Sequence, residues 1–578
     1  MSRRRWRLTE TDENAVTALR RTADIPEVLA RLLAARGVAP ECALDYLSPT
    51  LKQFLPEPLT LKDMDRAVAR TLRAIEVGER IAVFGDYDVD GSTSAALLHG
   101  YFSSAGAVPQ IYIPDRMSEG YGPNAPALLK LQAAGVSLVI TVDCGAGATA
   151  ALSVARDAGL DVIVLDHHAV ETAPPAVAHV NPNQPEDTSG LGQLSAAGVA
   201  FLFVVALNRA LRDAGRFAGS KTAEPDLLGL LDLVALATIC DVVPLVGVNR
   251  AFVRAGLARL SRLERPGIAA LAAVADARPP FTPYHLGFLL GPRINAGGRV
   301  GRSSLGVELL TSTASAPARE LAIALDTHNR ERQTIEKIIL EEANAMADMQ
   351  ANSPFLFVAS EGWHPGVVGI VAGRLKDRFG KPAFVAGFEG GLGRGSARSI
   401  PGIDIGAAVR EARARNAIEA GGGHAMAAGF SLRADQIDGF RAFLADAFSD
   451  AGAALEAAVE LEVNAVVSPA GATVALVNQI AQAGPFGAGN PEPLVALPDL
   501  KVTFADVVGK SHVRLRLSGG DGATLDGIAF RAVGTPLGTG LLAARGRKIH
   551  AVGRLRADEW NGRKRVQLQL EDAALVTG

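Results

Sequence analysis

The sequence predicts an α/β protein with a doubly wound parallel sheet, a second and smaller α/β unit joined by a long helix, and a C-terminal β-barrel. Strand-like runs alternate with helical stretches from about residue 65 to 250, which is typical of a parallel sheet covered on both faces. The charged segment from Pro317 to Gln350 has no internal Pro or Gly and predicts one helix about 50 Å long. After the Gly- and Pro-rich segment 484–493, short alternating strands with Gly turns predict a small barrel.

The length of 578 residues is too great for one hydrophobic core, so several domains are expected. Changes in the periodicity of apolar residues and clusters of Pro and Gly suggest where the domains meet. The predicted domains are a helical N-terminal lead-in (1–60), a main α/β domain (61–310), a connecting helix (311–352), a smaller α/β domain (353–455) and the barrel (456–578).

Composition restricts where such a protein works. No apolar run reaches about 18 residues without a charge, so no transmembrane helix is expected. The basic segment 1–7 is not followed by an apolar stretch, which argues against a secretory signal. Three cysteines (Cys42, Cys144 and Cys240) cannot all pair, which fits a reduced protein in the cytoplasm.

Positive charge is concentrated at the C-terminal end of the chain. The formal net charge of the whole chain is −3, whereas residues 501–578 carry 13 Lys and Arg against 7 Asp and Glu. A basic module on an acidic body indicates that a polyanion is held at one place. The alternative, a solvated surface with a chance excess of Arg, stays open from the sequence alone.

Three buried-strand patterns each end in polar residues that can bind metal. Four or five apolar residues followed directly by carboxylates are typical of a parallel strand that delivers polar groups at its carboxyl end, where ligands bind in open α/β sheets. Five Asp and two His at such ends predict a site for two divalent cations. The residues are Asp86, Asp88 and Asp90 after Ile81–Gly85, Asp143 after Leu138–Val142, and Asp166, His167 and His168 after Val162–Leu165.

A simpler interpretation competes with the metal site. A single Asp after a strand is commonly the N-cap of the next helix, and for Asp143 alone both interpretations stay open. The interpretation fails for the whole set, because Asp86, Asp88 and Asp90 would point the same way in an extended segment and would repel each other without a cation. The histidines suit manganese or zinc as well as magnesium.

Three glycine-rich segments are candidates for binding phosphate. They are 291–299, with Arg293, Asn295 and Arg299, then 393–399, with Ser396 and Arg398, and 421–429, with His424. Glycine lets backbone N–H groups approach an anion closely, and Arg binds phosphate through two parallel hydrogen bonds. Each segment alone is a weak signal, but three of them beside a metal site are a better one. We expect all three to be polar loops.

These motifs together resemble a known group of enzymes. The motifs at Asp86–Gly91, Asp143–Gly145, Asp166–His168 and Asp241 resemble the four motifs of the DHH phosphoesterase superfamily, and 421–424 resembles the signature of the DHH-associated C-terminal domain. Segment 291–299, the Pro-Asp-Arg loop with Arg116 and a terminal barrel of OB-fold type resemble the RecJ family, bacterial exonucleases that degrade single-stranded DNA from 5′ to 3′. The resemblance spans roughly residues 50–578.

The resemblance implies two Mn or Mg ions in a site built from the strand ends. Asp88 and Asp143 would hold one ion, while Asp90, Asp143, His167 and Asp241 would hold the other. Several other DHH branches carry a His a few residues before the Asp-x-Asp pair, where this chain has Phe84-Gly85. The first ion is therefore expected to be held less tightly, with Asp86 as a candidate additional ligand.

The resemblance also implies roles for residues around the metals. Asp166 would orient His167, and His168 would contact the scissile phosphate. The terminal 5′-phosphate would be clamped by Arg116, Ser396 and Arg398. Arg299 and His424 would line the cleft between the two catalytic lobes.

The implied function is two-metal hydrolysis of single-stranded DNA that releases 5′-mononucleotides in recombination and repair. Single-strand-binding protein and a RecQ-type helicase are candidate protein partners of an expected monomer that does not bind membranes. One rival is another DHH activity, a pyrophosphatase or a phosphodiesterase for oligoribonucleotides or cyclic dinucleotides, which usually lacks a basic barrel. Another is a non-catalytic single-strand-binding scaffold, although every expected ligand position is occupied here.

Overall fold

The computed structural model divides the chain into two compact units. Unit 1 comprises Met1–Leu47, Gln333–Gly484 and Glu492–Gly578, and unit 2 comprises Ser48–Arg332 and Pro485–Pro491. The structure describes residues 1, 4–116, 118–218, 223–458, 460–560 and 563–576, and the side chains of all of these except 453, 457, 458, 558–560, 563 and 564. No helix among these residues is both long and apolar enough to cross a membrane.

Strands and helices alternate through most of the chain. The strands are β1 (Arg5–Leu8), β2 (Ile81–Gly85), β3 (Gln110–Tyr112), β4 (Leu138–Val142), β5 (Asp161–Leu165), β6 (Ala178–Val180), β7 (Leu356–Glu361), β8 (Ala383–Glu389), β9 (Leu392–Arg398), β10 (Ala420–His424), β11 (Ala427–Arg433), β12 (Glu460–Val463), β13 (Ala465–Val466), β14 (Val495–Val508), β15 (His512–Ser518), β16 (Thr524–Ala529), β17 (Lys548–Trp560) and β18 (Arg563–Leu575). The α-helices are α1 (Glu13–Ala23), α2 (Glu27–Ala35), α3 (Ala43–Leu47), α4 (Leu51–Phe54), α5 (Met64–Val77), α6 (Val89–Ser104), α7 (Ala125–Ala133), α8 (Thr149–Asp157), α9 (Ala196–Asp213), α10 (Leu231–Cys240), α11 (Val248–Leu260), α12 (Pro266–Val274), α13 (Gly291–Val300), α14 (Leu305–Thr311), α15 (Ser315–Asp348), α16 (Pro365–Phe379), α17 (Ile405–Ala414), α18 (Ile437–Ala447), α19 (Gly452–Ala458), α20 (Val474–Gln482) and α21 (Pro536–Ala543). A π-helical turn, His285–Leu290, leads into α13, and short 3-10 turns lie at Pro40–Cys42, Pro58–Thr60, Leu227–Leu230 and Ala434–Gln436.

Unit 2 is built on a five-stranded parallel sheet in the order β3-β2-β4-β5-β6. This order reverses direction between β2 and β4, which creates the topological switch point where ligands bind in doubly wound sheets. Every residue of β2 and β4 is buried, as expected for strands covered on both faces. The doubly wound parallel sheet predicted from the sequence is confirmed.

The two faces of this sheet contribute to different hydrophobic cores. Ile81 and Val83 of β2 join a large core with α5, α6, α9 and α10, whereas Ala82 and Phe84 join a smaller core with α7 and α8. Successive side chains of a strand point to opposite faces, so the continuous apolar run of β2 supplies both layers. The strand ends are therefore fixed from both sides.

The long helix α15 contains 34 residues, close to the predicted 317–350. In unit 1 its second half packs Ile339, Ala343 and Ala347 against Val367 and Val371 of α16. The same unit holds a second sheet, in the order β10-β11-β9-β8-β7, in which only β7 and β8 run parallel. The smaller α/β unit and its long helix agree with the prediction.

The C-terminal strands form a closed barrel in unit 1. Neighbours pair in the order β14-β15-β16-β18-β17, and β14 also pairs with β17, which closes the ring. In β15 the side chains of Val513, Leu515 and Leu517 point into the barrel core, while Arg514 and Arg516 between them are exposed. This alternation gives the barrel a dry interior and a basic exterior, as the sequence predicted.

The glycine-rich segments are not loops, and that expectation was wrong. Segment 291–299 lies within α13, 393–398 lies within β9, and 421–429 forms most of the β10–β11 hairpin. Glycine permits close approach of a neighbouring side chain as readily as it permits a loop. Only the contacts around a glycine show which of the two it serves. At 298 an added Cβ would lie 3.0 Å from the ring of Tyr87. The N-terminal segment also contains a strand that the sequence did not reveal, β1, which pairs with β12.

Replacement of Gly256 should loosen the helix pair that leads to Asp241. A Cβ at Gly256 of α11 would collide with the carbonyl of Leu231 and the side chain of Ala235 in α10. We expect Gly256→Ala to destabilise unit 2 by about 2 kcal/mol through overpacking. Amide hydrogen exchange of α10 and α11 measures this loss. The control Gly100→Ala meets only Leu230 at 3.7 Å, so equal loss of protection in both variants would contradict overpacking as the cause.

Candidate metal centre

The carboxyl ends of three adjacent strands bring the predicted polar residues together in unit 2. Asp86 directly follows β2, Asp143 follows β4 and Asp166 follows β5. Three groups of residues each offer ligand atoms within 4.8 Å of one another. The groups are Asp86 with Asp88 and Asp143, Asp90 with His167 and Asp241, and Asp143 with His167 and His168.

Asp88 and Asp90 reach the site from the start of a helix. Asp88 is the N-cap of α6, and its carboxylate accepts a hydrogen bond from the Gly91 N–H at 3.1 Å. Asp90 lies in the first turn of the same helix. The expected extended segment with three carboxylates in a row is therefore wrong. The chain turns so sharply that a Cβ at Gly91 would collide with the backbone of Asp86.

Asp90 is held in place by the start of α9. Its two carboxylate oxygens accept hydrogen bonds from the backbone N–H groups of Ala196 at 2.7 Å and Ala197 at 2.8 Å. These are the first N–H groups of α9, which have no partner within their own helix, and the helix dipole favours negative charge there. Asp90 is therefore fixed in a buried position without the help of a metal.

Asp143 adopts a left-handed backbone conformation, with φ 59°. The next helix, α8, begins at Thr149 with Ala148 as its N-cap, so Asp143 does not cap it and the simpler interpretation of this residue is wrong. The hydroxyl of Tyr121 donates to the backbone carbonyl of Asp143 at 3.0 Å. This turn directs a buried carboxylate into the middle of the cluster.

The two histidines have different environments. Nε2 of His167 lies 3.3 Å from Oδ1 of Asp143 and 3.5 Å from Oδ2 of Asp241, yet it is buried and has no hydrogen-bond partner among the described residues. Nδ1 of His168 donates to Oδ1 of Asp166 at 2.7 Å. Asp166 therefore orients the ring of His168 and reaches His167 only through its backbone N–H, which differs from the role expected from the sequence.

Two asparagines that the sequence analysis missed support the histidines. Asn181 donates to the carbonyl of His168 at 2.8 Å, and Asn183 donates to the carbonyl of His167 at 2.6 Å. Both follow β6, the next strand of the sheet. Polar residues directly after a short strand were the available signal, the same one that revealed Asp86 and Asp143.

Burial and mutual repulsion shift the acidity of the cluster. Burial raises the pKa of Asp86 and Asp143 well above the usual range, and the negative charge of Asp88 raises both further. Burial and then the charges of Asp90 and Asp88 raise the pKa of Asp241 to about 9. For His168, burial opposes the charged ring, but the hydrogen bond and charge of Asp166 outweigh it and raise the pKa to about 9.

The cluster fits divalent cations. Besides the buried Nε2 of His167, Oδ1 of Asp86 is buried without a hydrogen-bond partner in the described part of the chain. Converging carboxylates that repel one another are stabilised by a cation placed among them, and carboxylate oxygens with one imidazole suit Mn²⁺ or Mg²⁺. The grouping with Asp88 and Asp143 supports Asp86 as a metal ligand.

The cluster opens into a cavity of about 240 Å³. Arg116 and Arg299, both expected from the sequence, are in its wall and give it positive charge beside the carboxylates. Tyr87 and Tyr121 were not predicted as site residues, whereas Asn295 belongs to the candidate phosphate-binding segment 291–299. The lining residues are Asp86, Tyr87, Asp88, Arg116, Tyr121, Asp143, His168, Asp241, Asn295 and Arg299.

Arg293 lies in unit 2 but does not line the cavity, and its guanidinium pairs with Asp326 at 2.9 Å. The remaining predicted residues lie in unit 1. Ser396 and Arg398 are on β9, and α16 presents Gly369 to them, where a Cβ would lie 3.2 Å from Oγ of Ser396 and 3.3 Å from Nη2 of Arg398. Burial lowers the pKa of Arg398, and no described carboxylate forms an ion pair with it. His424 ends β10, opposite Ala427, which in turn pairs with Arg398 across β11 and β9.

Comparison with known proteins gives matches over most of the chain. The family models that match are the DHH family N-terminal domain at residues 80–238, the DHHA1 domain at 352–450 and the RecJ OB domain at 463–572. The single-stranded-DNA-specific exonuclease RecJ of Dickeya dadantii is 37% identical, covering 96% of this chain and 99% of that protein. The protein of the same name from Bacillus subtilis is 36% identical, covering 99% of this chain and 71% of its own length.

Solved structures of RecJ from Thermus thermophilus are also similar. The complex with Mn²⁺ has a TM-score of 0.81 and 29% sequence identity and covers 100% of this chain and 81% of that chain. The complex with Mg²⁺ has a TM-score of 0.73 and 28% identity and covers 99% of this chain and 79% of that one.

Metal binding should stabilise unit 2 through Asp143. At a hundredfold excess over its dissociation constant, Mn²⁺ should add about 3 kcal/mol to the free energy of unfolding. Asp143→Asn should abolish this gain yet leave the metal-free protein at least as stable, because it removes repulsion and Asn tolerates the left-handed backbone. Differential scanning calorimetry with Mn²⁺ or EDTA measures both effects. The exposed Asp157→Asn is the control, and a retained Mn²⁺ shift in Asp143→Asn would contradict the assignment.

Proposed function

This chain belongs to the RecJ family, and from that premise we propose that it hydrolyses single-stranded DNA from the 5′ end and releases 5′-mononucleotides. The observation that carries the proposal is the cluster of carboxylates and histidines at the switch point of the unit 2 sheet, opening into a cavity with two arginines in its wall. Acidic groups alone would repel a phosphodiester, whereas this cavity offers sites for cations beside arginines that attract it. The 5′→3′ polarity rests on family membership. We assign the activity to DNA recombination and repair.

We propose that two cations are held by two overlapping sets of ligands. Asp86, Asp88 and Asp143 would hold one, and Asp90, Asp143, His167 and Asp241 the other. When bound, such a pair supplies a nucleophile of lowered pKa and neutralises the charge that develops on the phosphate. The chain contributes a fixed geometry, because α9 holds Asp90 and the asparagines after β6 hold the histidine loop.

His168 is proposed to contact the scissile phosphate. Its Nδ1 donates to Asp166, and the ring lies in the wall of the cavity, where it can meet a phosphate oxygen. A carboxylate that accepts a hydrogen bond from one ring nitrogen fixes both the orientation and the tautomer of the ring. His168 would thus orient the phosphate while Asp166 keeps the ring in place.

Arg398 and Ser396 are proposed to bind the terminal 5′-phosphate, the role that the resemblance of the sequence also gives to Arg116. The guanidinium of Arg398 is half-buried without an ion-pair partner among the described residues, and Gly369 leaves space beside it. A charge in that environment gains most from a divalent anion such as a terminal phosphate. An exonuclease needs a group that binds the end of the strand, because a metal pair alone would cut any phosphodiester that reaches it.

The barrel is proposed to bind the rest of the DNA strand. Arg545, Arg547 and Lys548 are exposed and adjacent, and Arg514 lies over the ring of Phe504 at 5.4 Å. In contrast, Arg554 and Arg556 are paired with Glu492 and Glu571. The side chains of Trp560, Arg563 and Lys564, which belong to the same basic module, lie outside the described residues. A basic barrel argues against a pyrophosphatase or a cyclic-dinucleotide phosphodiesterase.

The oligomeric state, the cellular compartment and the partners of the protein are also part of the proposal. We propose a monomer in the cytoplasm whose candidate protein partners are single-strand-binding protein and a RecQ-type helicase. The cysteines support a reducing compartment, because Cys42, Cys144 and Cys240 are all free thiols. Light scattering after size exclusion tests the monomer, and binding assays with each purified partner test the interactions.

One assay tests the proposed activity directly. Single-stranded DNA labelled at the 5′ end should release labelled mononucleotide at once in Mn²⁺, whereas a 3′ label should remain on progressively shorter strands. EDTA and Asp143→Ala should each abolish both reactions. Hydrolysis that begins at the 3′ end, or equal activity on pyrophosphate or cyclic dinucleotides, would contradict the proposal.

Loss of Arg398 should affect strands with a 5′-phosphate more than strands with a 5′-hydroxyl. The charge-assisted contact is worth about 1.5–3 kcal/mol and exists only with the phosphate, so kcat/KM for that substrate alone should fall by about tenfold or more in Arg398→Ala. Arg378→Ala is the matched control, since Arg378 on α16 pairs with Asp348 and is far along the helix from Gly369. Equal losses on both substrates would exclude a role in recognising the terminal phosphate.

The exposed basic triplet should contribute to salt-dependent binding. Each phosphate contact adds roughly −0.7 to the slope of log affinity against log salt for a single strand, so Arg545→Ala/Arg547→Ala/Lys548→Ala should flatten the slope by about 2. Fluorescence anisotropy with a long 5′-labelled strand in Ca²⁺ or EDTA measures it. The control replaces three exposed arginines elsewhere, Arg20, Arg21 and Arg66, and an unchanged slope in the barrel variant would show that the triplet does not contact DNA.

A further inference from the structure

The ring of Tyr87, in the wall of the metal cavity, contacts both a helix and a guanidinium. The Cα of Gly298 in α13 comes so close that an added Cβ would lie 3.0 Å from Cδ2 of the ring. The guanidinium carbon of Arg116 lies 5.2 Å from the centroid of the same ring, within the range of a cation–π interaction. The three residues form a layer that we call the tyrosine stack: Gly298, Tyr87 and Arg116.

Arg116 depends on this ring for its position. Its backbone N–H donates to Oγ of Ser303 at 3.3 Å, which fixes the loop but not the side chain. Its guanidinium has no ion pair among the described residues, and it lies over the face of Tyr87. A long, flexible side chain without a carboxylate partner keeps one position only when a surface holds it.

The ring is in turn fixed relative to the metal ligands. Tyr87 lies between Asp86 and Asp88 in the sequence, so its backbone belongs to the loop that carries both carboxylates. The α13 helix behind the ring carries Asn295, whose side-chain oxygen accepts from the N–H of Val89 at 3.1 Å at the start of α6. The ring therefore cannot move toward α13, and Arg116, which lies over the same ring, is held at the wall of the metal cavity.

From this geometry we propose that Tyr87 is a positioning residue that holds the guanidinium of Arg116 at the wall of the metal cavity, where it can receive the terminal phosphate. The inference rests on the proposed function, in which Arg116 contacts the terminal phosphate and the metals act on the next phosphodiester. The face of the ring acts, not the hydroxyl, because the guanidinium lies over the ring.

Two substitutions of Tyr87 test this role. Tyr87→Leu removes the aromatic face, and we expect the preference for 5′-phosphate over 5′-hydroxyl strands, measured as a ratio of kcat/KM values, to fall on the order of tenfold. Tyr87→Phe keeps the face and should keep the ratio. Tyr284→Leu, an exposed tyrosine of the same unit, is the control and should leave the ratio unchanged.

A double-mutant cycle with Gly298 distinguishes loss of the proposed contact from a general loss of folded structure. Gly298→Ala alone should displace the ring and lower the same ratio. In Tyr87→Leu the smaller side chain leaves room for the new methyl group, so Gly298→Ala should have little further effect. Such non-additivity is expected only of residues that act through one contact.

The outcomes separate this inference from the proposed function. The wild-type protein must first show 5′ polarity and a preference for the 5′-phosphate, and its failure to do so would refute the function itself. With those established, a wild-type ratio in Tyr87→Leu, an equal loss in Tyr87→Phe, or additive effects with Gly298→Ala would overturn the inference. So would loss of the Mn²⁺-induced shift in unfolding temperature in Tyr87→Leu, because the effect would then lie in metal binding.

Discussion

The mutual repulsion of buried aspartates at one edge of a parallel sheet is the constraint on which the rest of unit 2 depends. Asp86, Asp90 and Asp143 are all nearly inaccessible to water, and burial is the largest cause of their raised pKa values. Such an arrangement costs folding free energy until cations are bound. The fully buried strands β2 and β4, which supply cores on both faces of the sheet, offset that cost.

The protein holds the cluster with backbone groups. The first N–H groups of α9 bind Asp90, and the N–H groups of Ala146, His167 and His168 bind Asp166. Backbone donors have no side-chain freedom to lose, so they fix a carboxylate at small entropic cost. The ligands are therefore positioned in advance, and binding of the cations does not have to order them.

Prediction from the sequence succeeded where a pattern has one structural meaning and failed where it has two. An apolar run that ends directly in Asp identified β2 and β4, because a buried strand that ends at the edge of a parallel sheet produces that pattern and few other structures do. Gly298 could not be interpreted in this way, since glycine serves loops and tight helix contacts alike and only the neighbouring ring of Tyr87, distant in sequence, decides. The partner of Asp166 was also misjudged, because adjacent histidines differ only in how the loop turns.

Assigning DNA binding and DNA hydrolysis to different groups of residues solves an electrostatic problem. A cluster of carboxylates repels the polyanion that it is proposed to cut. Bound cations only partly reverse the negative charge of the cluster. Arg116 and Arg299 line the cavity that contains the cluster, but the exposed positive charge of residues 501–578 lies on a separate fold, a closed barrel with its own core. Since the barrel has its own hydrophobic core, its charge can be increased without changing the packing that spaces the metal ligands. Binding strength and the geometry of hydrolysis are therefore free to vary independently.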